Sequence, residues 1–498
     1  MRVQQLLEHH GIAVNPFAEE DAQSDPVFKD RCRDAAYHPA WDKVYGDPSD
    51  PATSIVFGEK GSGKTAMRMQ MAGRMALYNA NSQNSRLFVI EYDNFNPFLD
   101  HFADRLSARK QRDPARVLAE FKLWDHMDAI LSLGVTSLVD RLLGVTNPSG
   151  PAANHVYSDR LRSLDRQQKR DLLLLAACYD SSTGESLLAR WGRLRRKLGF
   201  YTWTTWWDRA LGVAVTLAVV AVILYWRQWD WLATPWPYVI VAAGWVPFLA
   251  RFVKWQLAAG RVARNVRVLK PHAATLRRLL MRFPKRDIDG QPLPESQRTD
   301  DRYELLAKFQ GVLKSLGAGG IVVLVDRVDE PHLITGSVER MRALIWSMLD
   351  NKFLKQPGVG LKLMLPRELA DHLHREDRDF YQRARLDKQN MIPSLEWTGE
   401  ALYDLANARV RSCGAGGKQP ALRSLLDDSI TDQRLIDAFR SLRVPRHLFK
   451  FLYRLLVAHC NAHTDDKPVW RIPRDTFEAT LAVYSRDQDA VDRGLQAG

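Results

Sequence analysis

Eight residues constrain the fold of this 498-residue chain more than any others: Gly58-Glu59-Lys60-Gly61-Ser62-Gly63-Lys64-Thr65. They follow a short apolar run, Ser54–Phe57 (SIVF), and lead into a helix-favouring one, AMRMQMAGRMALY. Strand, glycine-rich loop and helix in that order match GxxxxGK[ST] in the context where its chemistry works. The glycines let backbone N–H groups wrap phosphate oxygens, and the helix N-terminus adds its positive dipole end. Gly58, Gly61, Ser62, Gly63, Lys64 and Thr65 are therefore the expected nucleotide-binding residues. Lys64 would reach the β- and γ-phosphates, and the Thr65 hydroxyl would ligate Mg²⁺.

Such a loop needs a second half, and it comes late in the chain. Gly319–Glu330 (GGIVVLVDRVDE) is a β-branched run ending in acids. A fully buried parallel strand reads this way, and its C-terminal tip is where α/β sheets place ligands. Asp326 is expected to hold the metal through water, and Asp329 or Glu330 to orient or deprotonate an attacking water. Asn351-Lys352-Phe353-Leu354 lacks the terminal Asp of an NKxD guanine signature, which favours ATP over GTP.

The formal charge of +13 invites a nucleic-acid reading, but the excess is local. Between Ser186 and Arg286 lie 18 Lys/Arg and only two acids, Asp208 and Asp230, a net +16 that leaves −3 for the rest of the chain. The same window holds ten of the 15 tryptophans, Trp203 among them. At its centre are two uncharged runs, Ala210–Trp226 of 17 residues and Trp231–Ala250 of 20, joined by Arg227–Asp230. A bilayer core needs about 20 apolar residues in a helix. Trp and Tyr gather at the ends of the runs. Arg193, Arg195, Arg196, Lys197 and Arg209 precede them, and Arg251, Lys254, Arg261, Arg264 and Arg267 follow. By the positive-inside rule this is a transmembrane hairpin with both ends cytoplasmic, its collar available to anionic lipid headgroups. The mildly acidic remainder argues against a nucleic-acid partner.

Cys32, Cys178, Cys413 and Cys460 form no CxxC pair, which points to a reducing cytosol rather than a disulfide or zinc scaffold. The start, MRVQQLLEHHGIAVNPF, carries no basic segment followed by an apolar one, so no secretory signal is expected. His459, Cys460 and His463 do not complete a ligand set at metal spacing.

The glycine-rich loop, the Val325-Asp326-Arg327-Val328-Asp329 stretch and the hairpin between them resemble the additional-strand P-loop ATPases, and within them the KAP family, with broader similarity to AAA+ and STAND ATPases. In KAP proteins transmembrane helices are inserted between the Walker A and Walker B strands, and the stretch is similar to the family's hhhDxxD pattern. Arg327 stands where typical AAA+ proteins carry Glu, which leaves the base between Asp329 and Glu330. Ser441–Leu452 (SLRVPRHLFKFL) looks like a lid motif, which makes Arg446 a candidate γ-phosphate sensor. Asn15-Pro16-Phe17 is similar to an entry segment that borders the base pocket in related ATPases. Arg367, after the strand signal Val359–Leu365, lies where a phosphate sensor often sits. Arg375, Arg378, Arg383 and Arg385 lie where an arginine finger or a solvated helix face could lie.

The expected fold is α/β: a P-loop NTPase parallel sheet with an inserted transmembrane hairpin and a C-terminal helical lid. Residues 1–102 would carry the N-terminal segment and the first part of the core, and 103–205 a helical insertion. Residues 206–255 would form the hairpin and 256–300 a basic helical return. The second part of the core would follow at 301–398, with Ser394–Trp397 as its short last strand, and the lid at 399–498. The expected function is a homo-oligomeric cytoplasmic ATPase anchored in the inner membrane, which uses ATP and Mg²⁺, couples binding or hydrolysis to a conformational change at the membrane, and has an unidentified protein partner. The resemblance implies roles such as signalling or phage exclusion. The competing class is a slowly hydrolysing STAND-like switch and scaffold, and a DNA-binding ATPase of the origin-recognition type is the third.

Overall fold

The computed structural model describes residues 1–82, 85–145, 160–202, 206–227, 229–270 and 272–492. Trp203, parts of the expected helical insertion and the last six residues lie outside them. The centre is a mixed α/β core around a five-stranded parallel sheet: β1 (Ser54–Gly58), β2 (Arg86–Tyr92), β3 (Ala318–Val325), β4 (Val359–Pro366) and β5 (Asn390–Ile392), in the order β2-β3-β4-β1-β5. β1 and β4 are buried along their whole length, as a strand covered on both faces must be.

Successive residues of the strands face opposite layers. Ile55, Phe57, Ile321, Val323, Leu361 and Leu363 point into a large core built with α2 (Leu123–Leu143), α3 (Arg166–Tyr179) and α7 (Asp300–Ser315). Val56, Val322, Leu324 and Met364 meet Met67, Met71 and Met75 of α1 (Lys64–Asn81), the helix that follows the glycine-rich loop. A third core joins the C-terminal helices α8 (Gly399–Ser412), α9 (Asp432–Leu442), α10 (Pro445–Ala462) and α11 (Arg474–Asp492) to Leu6, Leu7, Ile12, Phe17 and Phe28 of the N-terminal segment.

One strand differs from expectation. Ser394–Trp397 is not a strand; the last strand is β5, which ends just before Pro393, a residue with no N–H to give to a ladder. The segment instead crosses the end of β1, where the Leu395 amide donates to the Phe57 carbonyl at 2.8 Å.

Between α4 (Leu187–Lys197) and α7 run two helices long and apolar enough to cross a membrane, α5 (Trp207–Trp226) and α6 (Trp236–Asn265). Only 11% of the apolar window of each is buried inside the molecule, and Leu217 and Leu224 are 63% and 57% exposed. They pack on each other through two glycines. A Cβ on Gly212 would stand 2.7 Å from the Trp245 ring, and one on Gly244 2.8 Å from Val215. The Trp245 indole also donates to the Thr216 hydroxyl at 3.1 Å. Pro235 and Pro237 sit at the start of α6, where no amide donor is needed, and Pro247 lies within it. α6 does not stop at residue 255. It continues to Asn265, and Trp255, Ala258, Ala259 and Val262 enter the large core, so the first ten residues of the expected return segment belong to the apolar helix itself.

Most of the basic collar after the second apolar run is spent within the chain. Arg251 binds Asp208 at 2.9 Å and the carbonyls of Met281 and Phe283, while Lys254 pairs with Asp289 and Arg261 with Glu295. Arg267 holds the buried carboxylate of Asp125 on α2. Arg264 remains exposed, as do Arg196, Arg278, Lys285 and Arg286 nearby in sequence.

Candidate functional site

The C-terminal ends of β1 and β3 bring the two halves of the sequence motif together with one strand, β4, between them. Residues 58–65 leave β1 as a tight turn. Gly61 has φ +90° and its would-be Cβ lies 2.6 Å from that of Arg446, so both the backbone conformation and the close approach demand glycine there. α1 begins at Lys64, and the amides of its first turn have no intrahelical acceptor. The Lys64 ammonium donates to the carbonyls of Gly58 (2.7 Å) and Glu59 (2.9 Å). Burial lowers its pKa, and the carboxylates of Asp326, Asp329 and Glu368 partly offset this.

Asp326 sits at the tip of β3 with 2% of its surface exposed. Burial raises its pKa, while the Arg68 guanidinium and the Thr65 hydroxyl pull it back down. One of its oxygens, Oδ2, lies 3.3 Å from Arg68 Nε without hydrogen-bond geometry. The Ser62 hydroxyl is likewise buried with no protein partner. Among the described residues no group of three or more His, Cys, Asp or Glu is placed to hold a metal ion by itself. A threonine hydroxyl, one buried carboxylate and amides around a phosphate-sized turn suit a magnesium ion whose other ligands are phosphates and water. The residues thus fit a Mg-nucleotide.

These groups line a cavity of about 480 Å³ that the C-terminal helices and the N-terminal segment also border. α10 opens with Pro445 at its first position, and the Arg446 amide donates to the Gly61 carbonyl at 3.3 Å. The Arg446 side chain lies over the loop, 3.9 Å from Asp21, with its Nε buried and unpartnered. Asp329 and Glu330 both border the cavity, but Glu330 is 51% exposed and paired with Arg327. Arg327 itself has φ +61°, a strained turn at the tip of the strand. Arg367 is not in the cavity wall: it pairs with Glu59 outside it, and its neighbours Pro366 and Glu368 do the lining. Arg375, Arg378, Arg383 and Arg385 lie on an exposed surface.

Asn15-Pro16-Phe17 packs on the lid rather than in the cavity wall. Asn15 caps the Phe17 amide at 3.0 Å, Phe17 stacks on Phe449, and the Pro16 carbonyl accepts from Arg409, which is itself buried against Asp25. The cavity is walled by the next stretch, through Phe28, Cys32, Ala35 and His38. His459 and His463 bond to backbone carbonyls, and all four cysteines are free and buried.

Sequence reasoning missed three parts of the site. Arg68 is one helical turn beyond Lys64 and so shares its face, a spacing that was readable. The Trp397 indole donates to the Ser62 carbonyl at 2.8 Å and braces the loop from a segment more than 300 residues away, which no local pattern announces. The N-terminal wall carries no motif at all. Comparison of the chain with protein-family models, curated proteins and solved structures finds no match.

Proposed function

We propose that this chain is a membrane-anchored ATPase of the KAP type that binds Mg-ATP between the glycine-rich loop and the lid and hydrolyses it. The observation that carries the reading is the meeting of Lys64 and Thr65 with buried Asp326 beneath Arg446. The one strand separating β1 from β3 is in keeping with the additional-strand resemblance. Magnesium, when bound, neutralises phosphate charge. The loop amides and Lys64 hold the phosphate chain, Thr65 and Asp326 hold the ion, and Arg446 senses the terminal phosphate from the lid. Asp329 orients or deprotonates the attacking water, because Glu330 is turned to Arg327.

Asp329→Ala is expected to lower turnover about 100-fold or more and to leave ATP on the protein, whereas Glu330→Ala changes turnover by less than about 10-fold. Steady-state phosphate release together with analysis of the bound nucleotide distinguishes them. Trapping by Glu330→Ala alone would move the base to that residue. The same pairing of Glu330 with Arg327 favours a second reading, a slowly hydrolysing switch and scaffold; a wild type that binds ATP without turnover in its native membrane would select it.

The anchor in this reading is the pair α5 and α6, whose exposed apolar faces would cost heavily in water, at about 25 cal/mol per Å². The bulk of the chain lies on the cytoplasmic side of the inner membrane, with Arg196, Arg278, Lys285 and Arg286 left for anionic headgroups. The full chain is expected to stay in the high-speed pellet after alkaline carbonate washing. Recovery in the supernatant overturns the anchor. Assembly of copies, with a finger from the exposed Arg375–Arg385 face, and coupling to a protein partner belong to the same proposal.

A further inference from the structure

We infer that Arg68 is a positioning residue for the metal: its charge, set against one oxygen of Asp326, restrains the carboxylate that would face the magnesium ion of a bound nucleotide. The inference rests on the reading of the cavity as a Mg-ATP site and deepens it.

Arg68 projects from α1 one turn after Lys64 and is 4% exposed. Its guanidinium is ringed by carboxylates from two neighbouring strand tips. Nη1 contacts Glu91 at 2.5 Å and Asp93 at 3.2 Å, and Nε stands 3.3 Å from Asp326 Oδ2. The register pairs Tyr92 with Val325, so Asp93 and Asp326 leave adjacent strands side by side.

The three contacts are unequal. Glu91 and Asp93 are 53% and 22% exposed and could be solvated without Arg68, whereas Asp326 is buried. Glu91 and Asp93 therefore fix the guanidinium, and the guanidinium fixes Asp326. Because Nε misses hydrogen-bond geometry to Oδ2, the contact is an electrostatic restraint rather than a saturated bond. It limits rotation of the carboxylate, which the Thr65 hydroxyl and the Arg327 backbone also hold. Partners one step removed from a metal set the orientation of its ligands, and their loss typically costs about 10–100-fold in metal affinity.

The test measures affinity of the full detergent-solubilised chain for a fluorescent ATP analogue, once with excess Mg²⁺ and once with EDTA. Arg68→Met is expected to weaken binding about 10–100-fold with Mg²⁺ while leaving EDTA binding within about 3-fold. Arg68→Lys should recover part of the loss, because an ammonium keeps the charge but not the fork that spans three carboxylates. Asp93→Asn, which leaves both Arg68 and Asp326 in place, provides the same readout should Arg68→Met fail to fold, with a smaller loss in the same direction. An unchanged Mg²⁺ dependence, a gain in Mg²⁺ affinity, or an equal loss under both conditions overturns the positioning role. Wild type that binds no nucleotide under either condition overturns the Mg-ATP reading, and the role with it.

Discussion

Lys64→Ala is expected to bind Mg-ATP at least about 100-fold more weakly than wild type. Hydrogen bonds to a charged group contribute about 1.5–3 kcal/mol each, so losing two phosphate contacts removes about 3 kcal/mol or more, which is a factor of 100 or greater. The ammonium is buried and held by the carbonyls of Gly58 and Glu59, both uncharged acceptors. Burial holds its pKa below the ordinary lysine range in spite of the carboxylates of Asp326, Asp329 and Glu368. The core side of α1, through Met67, Met71 and Met75, is untouched by the substitution. The melting temperature without nucleotide should therefore stay within a few degrees of wild type. Titration with a fluorescent nucleotide, paired with that melt, checks the result. Wild-type affinity in a folded Lys64→Ala chain would remove nucleotide binding from this loop.

Arg302→Met is expected to be the most damaging of the substitutions considered for the fold itself. Arg302 on α7 and Asp128 on α2 are both fully buried and meet through two contacts, Nε to Oδ1 at 3.1 Å and Nη2 to Oδ2 at 3.0 Å. Tyr179, at the end of α3, donates its hydroxyl to the same carboxylate at 2.7 Å, so one charge pair ties three helices beneath the sheet. Burial pushes the Asp128 carboxyl up and the guanidinium pulls it down. Without Arg302 the upward push is opposed only by the Tyr179 hydroxyl and the charge of Arg267. Removing one partner of such a pair costs about 3–5 kcal/mol, because the other charge is left buried and uncompensated. With the folded pKa of Asp128 raised still further, the protonated form is the one the fold tolerates. The loss is then full above that raised pKa and shrinks as pH falls through it toward the ordinary carboxylate range. A melting temperature lower by about 10 °C is expected. The double variant Asp128→Leu/Arg302→Met should regain much of it, since apolar replacement of a buried pair is often neutral. If the double variant is no better than the single one, the damage is not that of a stranded charge.

How much of this was legible in the sequence depended on how local the cause was. The runs at Ser54–Phe57, Gly319–Val325 and Val359–Leu365 became strands where the pattern placed them, because a strand buried on both faces writes its burial into consecutive residues. The last strand was misplaced by a few residues, since Ser394–Trp397 and Asn390–Ile392 are equally short and only pairing with β1 chose between them. Arg446 falls over the glycine-rich loop, whereas Arg367 is drawn away by Glu59, an attraction between residues 308 apart in sequence. The walls supplied by Phe28, Cys32 and Trp397 had no local signature, being ordinary residues made important by what they face.

The charge map shows the same division. The sequence alone determined that 18 cations crowd around two apolar helices and that the rest of the chain is mildly acidic. A count along the chain could not show that Arg251 and Arg267 turn inward to Asp208 and Asp125, or that Lys254 and Arg261 pair with Asp289 and Glu295 at the surface. Nor could it show that α6 passes unbroken from its apolar stretch into the large core. Hydropathy and charge are properties of residues and add up along a sequence. Ion pairs depend on distance, and only the packing of α6 against α5 and the 281–295 segment, with the turn after α6 reaching α2 through Arg267, brings those partners within reach.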